Sequence, residues 1–126
     1  MSHLKQYILA LQTGVVSTYN NYLSVNVPFE VNKIIFRNIE AGNLLDNTPN
    51  RPVLITSLIG IENEIPCNYT PSSTWIVAKS NQYEFYFNSL TPINGSFNFS
   101  LKDSLTGTPV SFHSLSMVIE FIQATE

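Results

Sequence analysis

The chain has 126 residues, of which 44% are hydrophobic and 12% carry a charge. A chain of this length buries one sizeable core, so we expect a single domain over residues 1–126. The charged fraction is about half the usual ~25%, and Asn, Ser and Thr carry most of the polar character instead. An uncharged polar surface is readily desolvated and suits repetitive assembly, although a base-composition bias in the genome explains the composition equally well.

The charges and the single cysteine argue against several classes of protein. Six Lys and Arg against nine Asp and Glu leave a net charge of −3, and the cations form no basic stripe for nucleic acid. Cys67 is the only cysteine, which excludes an internal disulfide and zinc sites with two or more cysteines. Polar side chains interrupt the N-terminal region, so it resembles neither a signal peptide nor a transmembrane helix. We therefore expect no nucleic-acid partner, no membrane insertion and intracellular folding.

Alternating apolar residues in the N-terminal third predict β-strands. The predicted strands are residues 7–12, 15–19, 23–27 and 29–39. For the first of them, an amphipathic helix is the competing prediction. The last of them places Lys33, Ile35 and Arg37 on one face and Ile34, Phe36 and Asn38 on the other. Its mixed faces indicate an edge strand, or a face that is used in a contact.

In the middle of the chain, one apolar segment lies between two predicted loops. Residues 53–59 form a largely apolar run that is rich in β-branched side chains, which predicts a central strand covered on both sides. Turn-forming residues predict a loop over residues 42–52. Prolines predict a second loop over residues 60–73, with at most a short strand at residues 61–65.

The C-terminal half shows the clearest alternation. Strands are predicted at residues 75–78, 82–87, 96–102, 110–112 and 115–122, with turns near residues 80–81 and over residues 103–109. The apolar faces of the two longest are Phe97, Phe99 and Leu101, and Leu115, Met117, Ile119 and Phe121. Asn94-Gly95 is the strongest short hairpin signal, because both residues tolerate positive φ. We expect Leu115, Met117, Ile119 and Phe121 to lie in the core. Val118 and Ile122 are expected to face the margin of a second sheet or a neighbouring subunit.

Eight or nine short strands separated by turn signals, with no helix of ten or more residues, define the predicted fold class. We predict an all-β domain, an antiparallel two-sheet β-sandwich of about eight strands that is jelly-roll-like. The strand order within the sandwich stays open, because several Greek-key arrangements fit the same alternation.

Groups that could perform catalysis are few. His3 and His113 are the only histidines, and Cys67 stands outside any hydrolase motif. We interpret Cys67 as an inert small apolar residue and predict no catalytic residue, no cofactor and a protein that is not an enzyme. An unassigned hydrolase is the enzymatic alternative.

Two acidic residues are spaced as a ligand pair would be. On a strand, Glu62 and Glu64 would point to the same side, as a calcium site or an acid–base pair requires. The other interpretation is a solvated strand face, because no third acidic residue is nearby in the sequence. We predict no metal site on this basis.

Aromatic side chains are the candidates for ligand contact. Tyr69, Trp75, Tyr83 and Tyr86 could line a platform on which a sugar ring stacks, or they could fill a core or an interface. They are therefore the predicted site for a glycan or a protein partner.

Three segments together resemble a known group of proteins. They are VPFEVNKIIFRNI from Val27, VLITSLIGIENEI from Val53 and NGSFNFSLKDSLTGTPVSFHSLSMVIEFI from Asn94. Their order and character resemble small β-sandwich virion proteins of large eukaryotic DNA viruses, virophages and polinton-like elements, including capsid-associated and spike or fibre-head jelly rolls.

The resemblance implies a non-enzymatic structural or attachment component of a virus particle. It implies a trimer or pentamer that contacts other capsid proteins and is located in the virion after folding in the host cytoplasm. No catalytic motif comes with it. The alternative function is a lectin-like β-sandwich that binds a host glycan or a small molecule.

Overall fold

The computed structural model describes residues 3–12, 21–44, 51–60, 62–70 and 75–125. Over these ranges the chain is all-β, with ten strands and no helix. The strands are β1 (His3–Gln12), β2 (Asn21–Asn26), β3 (Val31–Leu44), β4 (Pro52–Thr56), β5 (Glu64–Thr70), β6 (Trp75–Ala78), β7 (Gln82–Thr91), β8 (Asn94–Asp103), β9 (Pro109–Val110) and β10 (Phe112–Thr125). The described ranges accordingly contain no helix that is long and apolar enough to cross a membrane.

The ten strands form one hydrogen-bonded sheet in which every pairing is antiparallel. Its order is β1-β10-β3-β6-β5-β4-β8-β2, with β7 beside β3 and β9 beside β8. The sheet curls into a half-barrel. This confirms the all-β antiparallel class expected from the sequence, with ten strands in place of about eight.

Strand β5 joins the two halves of the sheet. Its first residues pair with β4, where Pro66 lies opposite Val53, and the residues from Cys67 onward pair with β6. Proline has no N–H to donate, and it falls where the strand changes partner, so no continuous ladder is interrupted. The Pro66 carbonyl accepts a hydrogen bond from the Lys79 N–H at 3.0 Å. The loop predicted over residues 60–73 allowed a short strand at residues 61–65, and it is wrong for residues 66–70, which continue β5.

Buried side chains from both halves of the sheet form one hydrophobic cluster. Eight strands supply it (β2, β3, β4, β5, β6, β8, β9 and β10), and half-buried side chains of β1 and β7 pack against it. The predicted core positions are confirmed: Phe99, Leu101, Leu115, Met117, Ile119 and Phe121 are all buried. A strand whose alternate residues are apolar buries that face together, which is why local alternation predicts these positions well.

Strands β1, β10, β3 and β7 lie side by side, and one of their two faces points into the core. On this inner face, two cross-strand rows are Tyr7, Phe121, Ile34 and Phe85, and Leu9, Ile119, Phe36 and Tyr83. The ring centroids of Tyr7 and Phe121 are 6.2 Å apart, and those of Phe36 and Tyr83 are 6.4 Å apart. Such tilted ring pairs add about 0.5–1.5 kcal/mol beyond the burial of their area.

A β-bulge interrupts β3 at Asn38. Between the pairs Ser116–Glu40 and Val118–Arg37, β3 has two residues, Asn38 and Ile39, where β10 has one. Asn38 has φ of 54°, and Asn is among the few residues other than Gly that adopt this left-handed conformation readily. The extra residue reverses the alternation, so Ile34 and Phe36 are buried before the bulge, and Ile39 and Ala41 after it.

The hairpin expected at Asn94-Gly95 does not form. These residues begin β8, opposite Asn26 and Val25 of β2, and β7 pairs with β3 instead. Pro92 and Ile93 carry the chain from one half of the sheet to the other, and the Ile93 carbonyl accepts from the Val27 N–H at 2.9 Å. Gly95 has positive φ, at 138°, but within a strand, and Asn94 does not. The dipeptide therefore predicted the wrong topology.

Three predicted boundaries also change. The expected loop over residues 42–52 is wrong at both ends, because β3 continues to Leu44 and β4 begins at Pro52. Residues 45–50 lie outside the described part, as do residues 15–19. Strand β4 ends at Thr56 and all five of its residues are buried, as expected of a central strand, while Leu58 stays buried in the turn that follows. Phe112 belongs to β10 and not to a separate short strand.

Candidate interaction surface and cleft

The second face of β1, β10, β3 and β7 points away from the core, and we call it the outer face. Its cross-strand rows are Ala10, Val118, Arg37 and Gln82; Ile8, Glu120, Ile35 and Glu84; and Gln6, Ile122, Lys33 and Tyr86, with Leu4 continuing β1. Val118 and Ile122 therefore lie on the face that the sequence analysis assigned to a sheet margin or a neighbouring subunit. Lys33, Ile35 and Arg37 share the face predicted for them.

Large apolar side chains stand exposed along the two sides of the outer face. Leu4 and Ile8 on β1 are each 62% exposed, and Tyr86 on β7 is 63% exposed. Between them, on the central strands β10 and β3, Ile35 and Ile122 are buried. Leu4, Ile8 and Tyr86 are three of the six large apolar side chains that are exposed in the described part of the chain. Exposed apolar side chains that share a face favour a contact surface.

A buried carboxylate connects three strands of the outer face. Glu120, on β10, is only 4% exposed. Its Oε1 accepts from Arg37 Nη1 of β3 and its Oε2 accepts from Gln6 Nε2 of β1, both at 2.6 Å. Arg37 Nε also donates to Gln82 Oε1 of β7 at 3.2 Å. A buried charge is tolerated when it is paired and fully hydrogen-bonded, and both oxygens of Glu120 meet that condition.

A second carboxylate group organises the β7 side of the outer face. Glu84 Oε1 accepts from the Tyr86 hydroxyl at 2.6 Å and from Lys33 Nζ at 2.9 Å, and its Oε2 accepts from Gln82 Nε2 at 2.6 Å. The Tyr86 hydrogen bond, then those of Lys33 and Gln82, lower the pKa of Glu84 to about 2. The hydrogen bond to Glu84, then that to Tyr86, raises the pKa of Lys33 above its ordinary value. Lys33 Nζ also lies 5.1 Å from the centroid of the Tyr86 ring.

A cleft opens beside the bulge, where β3 changes its partner from β7 to β6. Arg37 pairs with Gln82 of β7 and Glu40 pairs with Val77 of β6. The residues that separate β6 from β7 stand away from β3, leaving a cleft of ≈ 210 Å³. Its lining is Asn38, Ile39, Glu40, Val77, Ala78, Ser80 and Asn81. The turn that the sequence predicted near residues 80–81 is wrong, because β6 and β7 both run antiparallel to β3 and residues 79–81 form a bend between them. Ser80 and Asn81 of this bend form one wall of the cleft.

The four aromatic residues predicted to contact a ligand do not form one platform. Tyr83 and Tyr86 project to opposite faces of β7, so Tyr83 packs on Phe36 while Tyr86 lies on the outer face. Tyr69, on β5, is half-buried against the core. Trp75 begins β6, and its side chain lies outside the described part. Of the three described side chains, only Tyr86 is largely exposed, and contact with a glycan or a partner stays a prediction for each.

The remaining candidate groups are placed as follows. Glu62 lies in a turn and only Glu64 lies on a strand, so the premise that one strand holds both is wrong. Glu64 pairs with Lys102 at 3.1 Å, and the described residues include no group of three potential metal ligands. Cys67 is buried, and burial raises the pKa of its thiol to about 12, which suits the inert role predicted for it. The side chains of His3 and His113 lie outside the described part.

Sequence reasoning missed part of the outer face. Leu4, Ile8 and Glu120 were not recognised as members, and neither was Asn38 at the cleft. The alternation of Leu4, Gln6 and Ile8 was available as a signal, but both faces of that strand are apolar. Only the pairing of β1 with β10 shows which face turns away from the core.

Comparisons with known proteins add little. No protein-family model matches the sequence, and no curated protein matches it. A solved serine protease of Aeromonas sobria is similar over 94% of this chain, with a TM-score of 0.48 and 8% identity, and this chain spans 27% of the protease. The crystal structure of FLHE has a TM-score of 0.41 and 11% identity, covering 98% of this chain and 97% of FLHE. At these values neither structure supports a conclusion about function.

Proposed function

We propose that this protein is a non-enzymatic structural or attachment component of a virus particle, which works through contacts with copies of itself and with other capsid proteins. The outer face is the observation that carries the proposal. It displays Leu4, Ile8 and Tyr86 to solvent around charged groups that are already paired with one another. The proposed location in a virion rests on the resemblance of three sequence segments to virion β-sandwich proteins.

Because the charged groups of the outer face are paired with one another, a second protein can cover this face at a low desolvation free energy. A charge that loses water costs free energy unless it keeps its hydrogen-bond partners. Glu120 and Glu84 have their partners within the protein, so a second molecule does not have to supply them. Burying an exposed Leu or Ile side chain then contributes about 1.5–3 kcal/mol. The free energy gained by burying these apolar side chains therefore exceeds the cost of desolvating the paired charges, which favours association through this face.

The edge of the sheet beside the outer face supports the same proposal. Strand β1 pairs with β10 on one side, and no strand of the described chain pairs with its other side. An unpaired edge offers backbone donors and acceptors to a strand from another molecule. Leu4 and Ile8 lie on this same strand, so the edge and the apolar side chains could be covered together.

We extend the proposal to the closure of the fold and to assembly. The half-barrel closes as a jelly-roll-like two-sheet sandwich, in which β5 is the corner strand shared by both sheets. Its change of partner from β4 to β6 supports this arrangement. The assembled form is a trimer or pentamer, located in the virion after folding in the host cytoplasm, with a host glycan as a further partner.

The mass of the protein in solution tests the assembly proposal. Size-exclusion chromatography with light scattering should give the mass of a trimer or pentamer. Ile8→Asp places a charge at the centre of the outer face of β1 and should reduce that mass to one chain. Leu105→Asp is the matched control, because Leu105 is 60% exposed in the turn after β8, away from the outer face. A wild-type monomer, or equal dissociation by both variants, would contradict the proposal.

A further inference from the structure

We propose that the cleft beside Asn38 binds one ring of a neutral saccharide. The cleft adjoins the Arg37–Gln82 pair of the outer face, at the point where β6 replaces β7 as the neighbour of β3. The inference does not depend on the assembly proposal, because none of the lining residues belongs to the cross-strand rows of the outer face.

The polar side chains that line the cleft have unused hydrogen-bonding capacity. Asn38, Glu40, Ser80 and Asn81 are exposed, and their side chains bond to no described residue. Together they supply two amides, one carboxylate and one hydroxyl, which donate and accept hydrogen bonds. Saccharide hydroxyls also donate and accept, so they match this set better than a ligand that only accepts.

The backbone adds to the polar lining. Asn38 and Ile39 have no partner residue on β6 or β7, because the pairs on either side of them are Arg37–Gln82 and Glu40–Val77. The bulge holds Asn38 at φ of 54°, a conformation sparsely populated by residues other than Gly. Unusual backbone conformations of this kind cluster at ligand sites.

The size and charge of the cleft define the class of ligand. At ≈ 210 Å³ it is smaller than the about 300–1,000 Å³ of pockets for drug-sized molecules, which favours a single sugar ring. Glu40 is the only charged residue in the lining, and a carboxylate there favours a neutral sugar over an anionic one. One carboxylate is also too little for calcium, which takes about 6–8 oxygen ligands and usually several carboxylates. The neutral saccharide is the class that remains.

Titration by ¹H–¹⁵N NMR with glucose, galactose, mannose and N-acetylglucosamine tests the inference on the intact chain. At least one sugar should shift the amide resonances of residues 38–40 and 77–81, with a Kd of about 1 mM. Asn38→Gly keeps the backbone conformation and removes the amide, and Asn81→Ala removes the second amide. Each should weaken binding about fivefold, which corresponds to one lost hydrogen bond. Asn26→Ala, at an exposed position of β2, is the matched control and should leave binding unchanged.

Several results would overturn the inference. One is the absence of shifts at the cleft with all four sugars while the amide spectrum shows a folded protein. Another is that calcium chloride or N-acetylneuraminic acid alone shifts these resonances, which would make the site one for a cation or an anion. Equal weakening by Asn26→Ala and Asn81→Ala would place the sugar elsewhere. A monomeric wild-type protein would contradict the assembly proposal and leave the cleft unaffected.

Discussion

The outer face and the cleft both carry polar groups, and they differ in how these groups are hydrogen-bonded. On the outer face, Glu120 and Glu84 use all four carboxylate oxygens within the protein. In the cleft, the side chains of Asn38, Glu40 and Asn81 bond to no described group. Satisfied groups make a surface that another protein can cover at low cost, whereas unsatisfied groups require a ligand that brings hydrogen bonds. The same sheet thus carries two kinds of contact region.

The largest expected effect comes from the inner face, which supports both regions. Phe36 is buried on β3, two residues before the bulge. Phe36→Ala should reduce the free energy of unfolding by about 3–5 kcal/mol, because the cavity adds to the lost burial. Urea denaturation followed by circular dichroism measures it. Phe99→Ala, in β8, is expected to lose a similar amount, and an unchanged melting temperature for either would mean that its side chain is not in the core.

The next effect concerns the buried carboxylate of the outer face. Glu120→Ala leaves Arg37 and Gln6 without their acceptor, and should cost about 1–3 kcal/mol of unfolding free energy. Arg37 is partly exposed and can bond to water, which keeps the loss below that of a fully buried pair. A double-mutant cycle with Arg37→Ala isolates the pairwise part. Additive effects in that cycle would show that the ion pair contributes nothing.

A smaller effect is expected at the bulge, which shapes the cleft. Asn38→Val forces a β-branched residue into the left-handed region and should cost about 1–2 kcal/mol. Asn38→Gly, which adopts this conformation freely, is the control and should stay close to wild type. Thermal denaturation of the two variants side by side measures the difference. Equal stability of both would mean that the bulge does not require a left-handed residue.

The smallest effect is the acid titration of Glu84. Because its pKa in the folded protein is about 2, below the ordinary 4.5, its ionised form stabilises the fold at pH above 4.5. That contribution decreases as the pH falls below 4.5 and is lost once the pH passes through about 2. NMR titration of the Glu84 carboxyl carbon should show this low midpoint. Tyr86→Phe removes the strongest hydrogen bond and should raise the pKa, whereas a midpoint of 4.5 in the wild type would show that the network is not formed in solution.

Much of the fold prediction came from the alternation of apolar and polar residues along single strands. The strands containing Phe99, Ile119 and Phe85 were found because a period of two residues needs no knowledge of the neighbours. The strand through Pro66 was missed, because proline is excluded from a strand interior except where the ladder changes partner, as it does here. Asn94-Gly95 predicted a hairpin because the signal reports backbone conformation and not which strands pair.

Only some residues of the outer face and of the cleft could be predicted from the sequence. Lys33, Ile35 and Arg37 were placed together on one mixed face, and Tyr86 was named as a contact residue. Their partners come from far along the chain: Arg37 meets Glu120, and the carboxylate of Glu120 meets Gln6. The cleft depends on the bulge at Asn38 lying beside the bend at Ser80, which is another long-range juxtaposition. No pattern within a single strand reports such neighbours.

The sequence by itself determined that this protein is built from antiparallel strands and which side chains of β8 and β10 enter the core. Side-chain alternation and apolar character are local properties, and burial follows from them whatever the strand order. Only the tertiary structure decided that β10 lies between β1 and β3, and that β5 changes partner at Pro66. Strand order decides which polar groups meet, because hydrogen bonds act over about 3 Å while the sequence separates their partners by many residues. The paired charges of the outer face and the open cleft beside Asn38 both arise from that order.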